Sequence, residues 1–252
     1  MQTSPLKEIV PMICVNNFTK SYNDVVAVRD LTFRIEAGQI LGLVGPNGAG
    51  KTTIMRVLSG IIPPSSGTLS VAGHDIVSNP VKAKQSLGYI PDEPRLFDNL
   101  TVWEHLEFFG AVYGVINYRL VAETLLQFFN LDEKRNHVVQ NLSRGMRQKV
   151  AIACAYLHHP KVILFDEPLT GLDPGGIRSI KQSIQERAAQ GAAIIISSHL
   201  LGLVESLCTH LLLLHQGQCR YFGRMNDVLQ AFDKTNNATT LEDVFFSITH
   251  GE

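Results

Sequence analysis

The sequence predicts an α/β fold: parallel strands covered on both faces, a strand-rich part near the N-terminus, and an inserted α-helical block. Three observations predict it. Short apolar runs at residues 39–44, 162–165 and 192–196 are bounded by turn residues, as expected of strands covered on both faces. Between about residues 96 and 157 the apolar positions recur instead at helical spacing. The last third then reads strand, helix, strand, the pattern of a right-handed crossover between parallel strands.

Taken in order, the first forty residues read as strands, with residues 25–36 largely apolar and β-branched and Glu36-Ala37-Gly38 a turn. A short strand over residues 39–44 leads through glycines into a helix over residues 52–58, which stops at Ser59-Gly60. Residues 63–67 are a Pro/Ser/Gly loop and 68–72 a further strand. Thr101 and Glu104 are spaced as a capping box, and Val102, Leu106, Phe109 and Tyr113 follow on one helical face. A second helix covers residues 120–129, and Ser143 caps a third that runs to about Leu157. Asp173-Pro174 reads as N-cap and first position of a helix ending near Gly191. Residues 211–214 and 219–222 flank a hairpin turn. A polar link at 233–238 precedes a tail helix carrying Leu241, Val244, Phe245 and Ile248 on one face.

Composition narrows the function. The chain has 252 residues, 45% hydrophobic, with 22 Lys+Arg against 23 Asp+Glu and a net charge of −1. That apolar fraction excludes intrinsic disorder, and the balanced charge argues against a nucleic-acid binder held by electrostatics. No apolar run approaches the roughly 20 residues that span a bilayer. The opening MQTSPLKEIV lacks the apolar core of a signal peptide. Four widely spaced cysteines without a CxxC pair suggest reduced thiols rather than zinc or disulfides. A soluble cytosolic chain is the expectation.

Gly45-Pro46-Asn47-Gly48-Ala49-Gly50-Lys51-Thr52 satisfies G-x-x-x-x-G-K-[ST] between an apolar strand and a helix, the context that makes it a P-loop. Glycines let successive backbone N–H groups turn inward at a positive helix N-terminus, forming a concave anion site. Lys51 can then reach β- and γ-phosphates, and the Thr52 hydroxyl can ligate Mg²⁺. The strand at 162–165 ends in Asp166-Glu167, and strand C-termini face the ligand crevice in such sheets. Asp166 is therefore expected near the Mg²⁺, with Glu167 polarising a water. Alone, such a pair reads as a strand running into a charged turn; the P-loop favours the catalytic reading.

Together with Leu142-Ser143-Arg144-Gly145-Met146, these motifs make the chain resemble the nucleotide-binding subunit of an ATP-binding cassette (ABC) transporter over nearly its whole length. The resemblance implies a P-loop NTPase core at residues 12–95 and 158–230, built on a mixed, largely parallel sheet with helices on both faces and an N-terminal antiparallel β part. It also implies a helical subdomain at 96–157 and a tail helix at 231–252, all in one ATPase domain spanning 1–252. It implies ATP with Mg²⁺, Tyr22 stacking on adenine, and Thr53 beside Thr52 in the nucleotide site. Gly171-Leu172-Asp173 would be the D-loop and His199 the switch histidine that holds the γ-phosphate. Ser143 and Gly145 would supply donors to a γ-phosphate bound on another subunit.

The chain departs from the family pattern in three places: Arg144 replaces a Gly of LSGGQ, Met146 replaces its Gln, and Asp92 stands where the Q-loop carries Gln. Asp92 is expected to reach the metal directly or through water in place of that Gln, the alternative being that Glu93 takes up part of the role. The LSRGM signature looks like that of exporters whose ATPase is a separate subunit. The implied partners are membrane-spanning subunits and a second nucleotide-binding subunit, with no nucleic acid, placing the chain on the cytoplasmic face of a membrane. The alternatives are a soluble cassette ATPase acting on ribosomes or DNA, and an unrelated P-loop kinase. Trp103, Phe108 and Phe109 are either core or a docking face for the membrane partner.

Overall fold

The structure is a computed structural model that describes residues 10–228, 230 and 240–250, with side chains in the last stretch to residue 247. Residues 1–9 and the polar link at 233–238 lie outside the described residues, as does the side chain of Ile248.

Two sheets form the frame. Strands β1 (Ile13–Tyr22), β2 (Val25–Ile35), β4 (Ser66–Val71) and β5 (His74–Asp75) make an antiparallel sheet ordered β2-β1-β4-β5. The second sheet is ordered β10-β9-β3-β8-β7-β6. It comprises β3 (Ile40–Val44), β6 (Leu87–Ile90), β7 (Val162–Asp166), β8 (Ala193–Ser197), β9 (His210–His215) and β10 (Gln218–Arg224). All its pairings are parallel except the β9–β10 hairpin. β3, β7 and β8 are buried at every position, the physical reason their sequences are continuous apolar runs.

The pleat sorts these strands onto two cores. Leu41, Leu43, Val162, Leu164, Ala193 and Ile195 pack with the antiparallel sheet and α1 (Lys51–Leu58). Ile40, Val44, Ile163, Phe165, Ile194 and Ile196 pack with the helical block. Adjacent residues thus serve opposite layers, as a two-residue period dictates. The helical block has no separate core of its own: Leu106, Leu126, Phe129 and Tyr156 share the cluster of the sheet's second face.

Within that block, α3 (Val102–Val112) starts at a complete capping box. The Thr101 hydroxyl accepts from the Glu104 N–H at 3.2 Å, and the Glu104 carboxylate accepts from the Thr101 N–H at 2.7 Å. α4 (Tyr118–Phe129) and α5 (Arg144–Tyr156) follow, α5 with Ser143 as N-cap. The stretches between them are turns and single 3-10 turns, and the three α-helices lie where the apolar spacing predicts them. α6 (Pro174–Ala189), with Asp173 at its N-cap and Pro174 in the first turn, joins β7 to β8. α2 (Pro80–Gln85) and α7 (Leu201–Leu207) are helices that the sequence reading passes over. α8 (Leu241–His250) lies against α7, its first N–H donating to Glu205 at 3.1 Å.

Candidate functional site

The loop between β3 and α1 is shaped by glycines. Gly50 adopts φ +107°, and a Cβ there would sit 2.7 Å from the Ala27 carbonyl oxygen and 2.8 Å from Val28 Cγ2. Only glycine meets both demands, the left-handed backbone and the close approach. Lys51 turns back over the loop and donates to the Gly45 carbonyl at 2.6 Å and the Pro46 carbonyl at 3.2 Å. Burial pulls the Lys51 pKa below the ordinary lysine value, while the Glu167 and Asp166 carboxylates act in the opposite direction.

Those carboxylates sit at the end of β7. Asp166 is buried and accepts from the Ser197 hydroxyl at 2.7 Å, directly across the β7–β8 pairing. Glu167 follows with φ +49°, a left-handed turn that swings its side chain out of the strand's alternation. Its Oε2 lies 2.8 Å from His199 Nδ1 and accepts from the His199 N–H at 3.4 Å. Glu167 is mostly covered, at 18% side-chain exposure, whereas His199 reaches solvent at 62%, so the histidine forms the outer half of the pair.

A cleft of about 260 Å³ is lined by Ala27, Asn47, Gly48, Ala49, Gly50, Lys51, Thr52, Thr53, Asp166, Glu167 and Ser197. Gly45 and Pro46 serve it through the carbonyls that hold Lys51. A second cleft of about 280 Å³ adjoins it, sharing Thr52, Asp166 and Glu167 and adding Arg56, Tyr89, Asp92 and Arg95. Burial, with Asp166 nearby, pushes the Tyr89 phenol up to about 12, so it is a neutral hydroxyl at physiological pH.

Ser197 was missed by sequence reasoning. Its only signal is that it follows the apolar run of β8 by one residue and so falls opposite Asp166.

The Thr52 hydroxyl and the Asp166 carboxylate are hard oxygen donors on one cleft. Among the described residues, no three His, Cys, Asp or Glu side chains gather into a complete metal site. That donor set fits Mg²⁺, which typically takes one or two protein oxygens and fills its other positions with phosphate oxygens and water.

Of the remaining expected residues, Asp92 lines the second cleft, whereas Tyr22, Ser143, Gly145 and His199 line neither. Tyr22, at the end of β1, is 42% exposed, with the Lys20 ammonium 5.1 Å from its ring centre. Ser143 and Gly145 open α5 and line neither cleft. The Ser143 hydroxyl accepts from the Met146 N–H at 3.3 Å, and a Cβ on Gly145 would come within 3.0 Å of Leu172 Cδ2. Asp92 lines the second cleft, but its carboxylate is 2.9 Å from the Arg144 guanidinium. Of the three aromatics, Phe108 is exposed and meets Phe97 edge-on, Trp103 lies under the Arg135 guanidinium, and Phe109 stacks on Tyr113.

Residues 28–170 match the family model described as ABC transporter. The chain is 38% identical over 221 residues to the ABC transporter ATP-binding protein NatA of Bacillus subtilis, covering 86% of this chain and 90% of that protein. It is 33% identical over 231 residues to the Nod factor export ATP-binding protein I of Cupriavidus pinatubonensis, covering 90% and 70%. A solved ATP-binding subunit of an ABC transporter superposes with a TM-score of 0.89 at 30% identity, over 94% of this chain and 99% of that one.

Proposed function

Since this chain belongs to the ABC transporter family as an ATP-binding, ATP-hydrolysing subunit, we propose that it powers export through separate membrane subunits, with its active site divided between two cassettes.

Phosphoryl transfer asks the protein mainly for positioning and charge neutralisation. Lys51 and the amides of residues 47–53 take the β- and γ-phosphate charge at the positive end of α1. Thr52 and Asp166 hold Mg²⁺, which when bound neutralises phosphate charge. Glu167 orients the attacking water and accepts its proton. His199, exposed beside Glu167, contacts the γ-phosphate and keeps Glu167 aimed. Tyr22 offers a ring face to the adenine.

The observation that supports the divided site is that neither Ser143 nor Gly145 lines a cleft of its own chain. They open the N-terminus of α5, whose Arg144 reaches Asp92 beside the second cleft, and there they can close over a nucleotide held by a second chain. ATP then joins two cassettes, and hydrolysis releases them, an order–release switch. Export is supported by the likeness to a Nod factor export subunit. Among the described residues no helix is long and apolar enough to cross a membrane, so the spanning part is assigned to partner subunits. The exposed Phe97–Phe108 pair offers them an apolar contact.

Replacing Glu167 with Gln keeps shape and removes the base. ATP binding should persist, turnover should fall on the order of 10²- to 10⁴-fold, and ATP should trap a dimer visible by size-exclusion chromatography. Turnover at the parental rate would remove Glu167 from this role.

A further inference from the structure

Two of the three departures from the family pattern, Asp92 and Arg144, touch each other. The residues are 52 apart in sequence, yet the Arg144 guanidinium donates to Asp92 Oδ1 at 2.9 Å. The stem of Arg144 also lies along Gly171: a Cβ on that glycine would stand 3.1 Å from Arg144 Cδ. One side chain therefore spans the segment after β6, the first turn of α5 and the turn that follows β7.

The pair is half-exposed on both sides, with side-chain exposures of 44% and 48%. Exposed ion pairs add little to stability, so its consequence is geometric. Asp92 lines the cleft shared with Thr52, Asp166 and Glu167. Arg144 stands between Ser143 and Gly145. We propose that the Arg144–Asp92 pair is a positioning tie that makes the start of α5 follow the nucleotide cleft of its own chain, so that the face offered to the second cassette reports the state of the first site. Arg144 acts through Asp92 and through the orientation of Ser143 and Gly145. This rests on the divided-site reading above.

A double-mutant cycle with Asp92→Asn, Arg144→Gln and the combined variant tests it, each assayed for kcat, KM and Tm. Each single substitution should lower kcat two- to fivefold, the range expected of a pair this exposed, and the combined variant should be no slower than the slower single one. Arg144→Lys, which keeps the charge, should recover part of the loss. Arg144→Gln should leave ATP affinity of the dilute chain unchanged.

Losses that multiply in the combined variant would mean that the two residues act independently, and would overturn the tie. So would unchanged kcat in the single variants, or losses that simply track a lowered Tm. Failure of the divided-site reading looks different: parental turnover per molecule would then not depend on protein concentration at all.

Discussion

Around Lys51 the geometry is held by backbone and burial, whereas around Ser143 it is held by a few side chains at the surface. The P-loop is fixed by Gly50 wedged against the Ala27 carbonyl, and Asp166 is buried under a hydrogen bond from Ser197. The first turn of α5 depends on one capping hydroxyl and on the exposed Arg144–Asp92 pair. A site that must grip phosphate in every state gains from rigidity. A face that must meet and leave a partner gains from weak, reversible contacts.

The contrast breaks first at Gly50. Gly50→Ala places a Cβ against the Ala27 carbonyl at a φ that alanine resists, a strain of roughly 1–3 kcal/mol. ATP binding, followed by isothermal titration, should fall at least tenfold. Parental affinity would mean that the loop is softer than its geometry implies.

Ser143→Arg probes the other side. Losing the cap costs about 1 kcal/mol, and the bulk at the helix start should block the ATP-dependent dimer while leaving single-chain ATP affinity intact. If monomer affinity collapses as well, Ser143 serves its own chain's nucleotide and the contrast between the two regions disappears.

The smallest effect concerns acid. Burial holds the His158 pKa down at about 4, with its ring stacked on Tyr113 at 3.8 Å. Burial also lowers that of His105, whose Nε2 accepts from the Phe97 N–H and so must stay unprotonated. Both histidines are neutral in the fold and titrate near 6.5 when unfolded. The contribution of each is complete above 6.5 and is lost as pH falls below it, for His158 down to about 4. The Tm should drop over that interval and drop less in His158→Gln. A parental Tm flat from pH 7 to pH 5 would contradict this.

What neighbouring residues set was legible in the sequence, and what tertiary contacts set was legible only in part. The P-loop, the strand ending in Asp166-Glu167 and the capping box at Thr101 are local patterns, each set by backbone chemistry within a few residues. Short elements were not legible: α2 and α7 complete fewer than two turns, too little for a helical period to register. β4 begins at Ser66 rather than Thr68 because Thr19 of β1 pairs with Ser66, a contact that propensity does not encode. Nor does any spacing rule connect residues 92 and 144, or 166 and 197. Asp92 and Arg144 each stood out as a substitution, but only folding makes them neighbours.

The division of the active site between two chains is tested most directly by ATP turnover per molecule across a dilution series spanning dimer dissociation. The account predicts a rate that falls with concentration, approaching zero for the isolated chain at saturating ATP. A per-molecule rate that stays constant down to the fully monomeric range would contradict it.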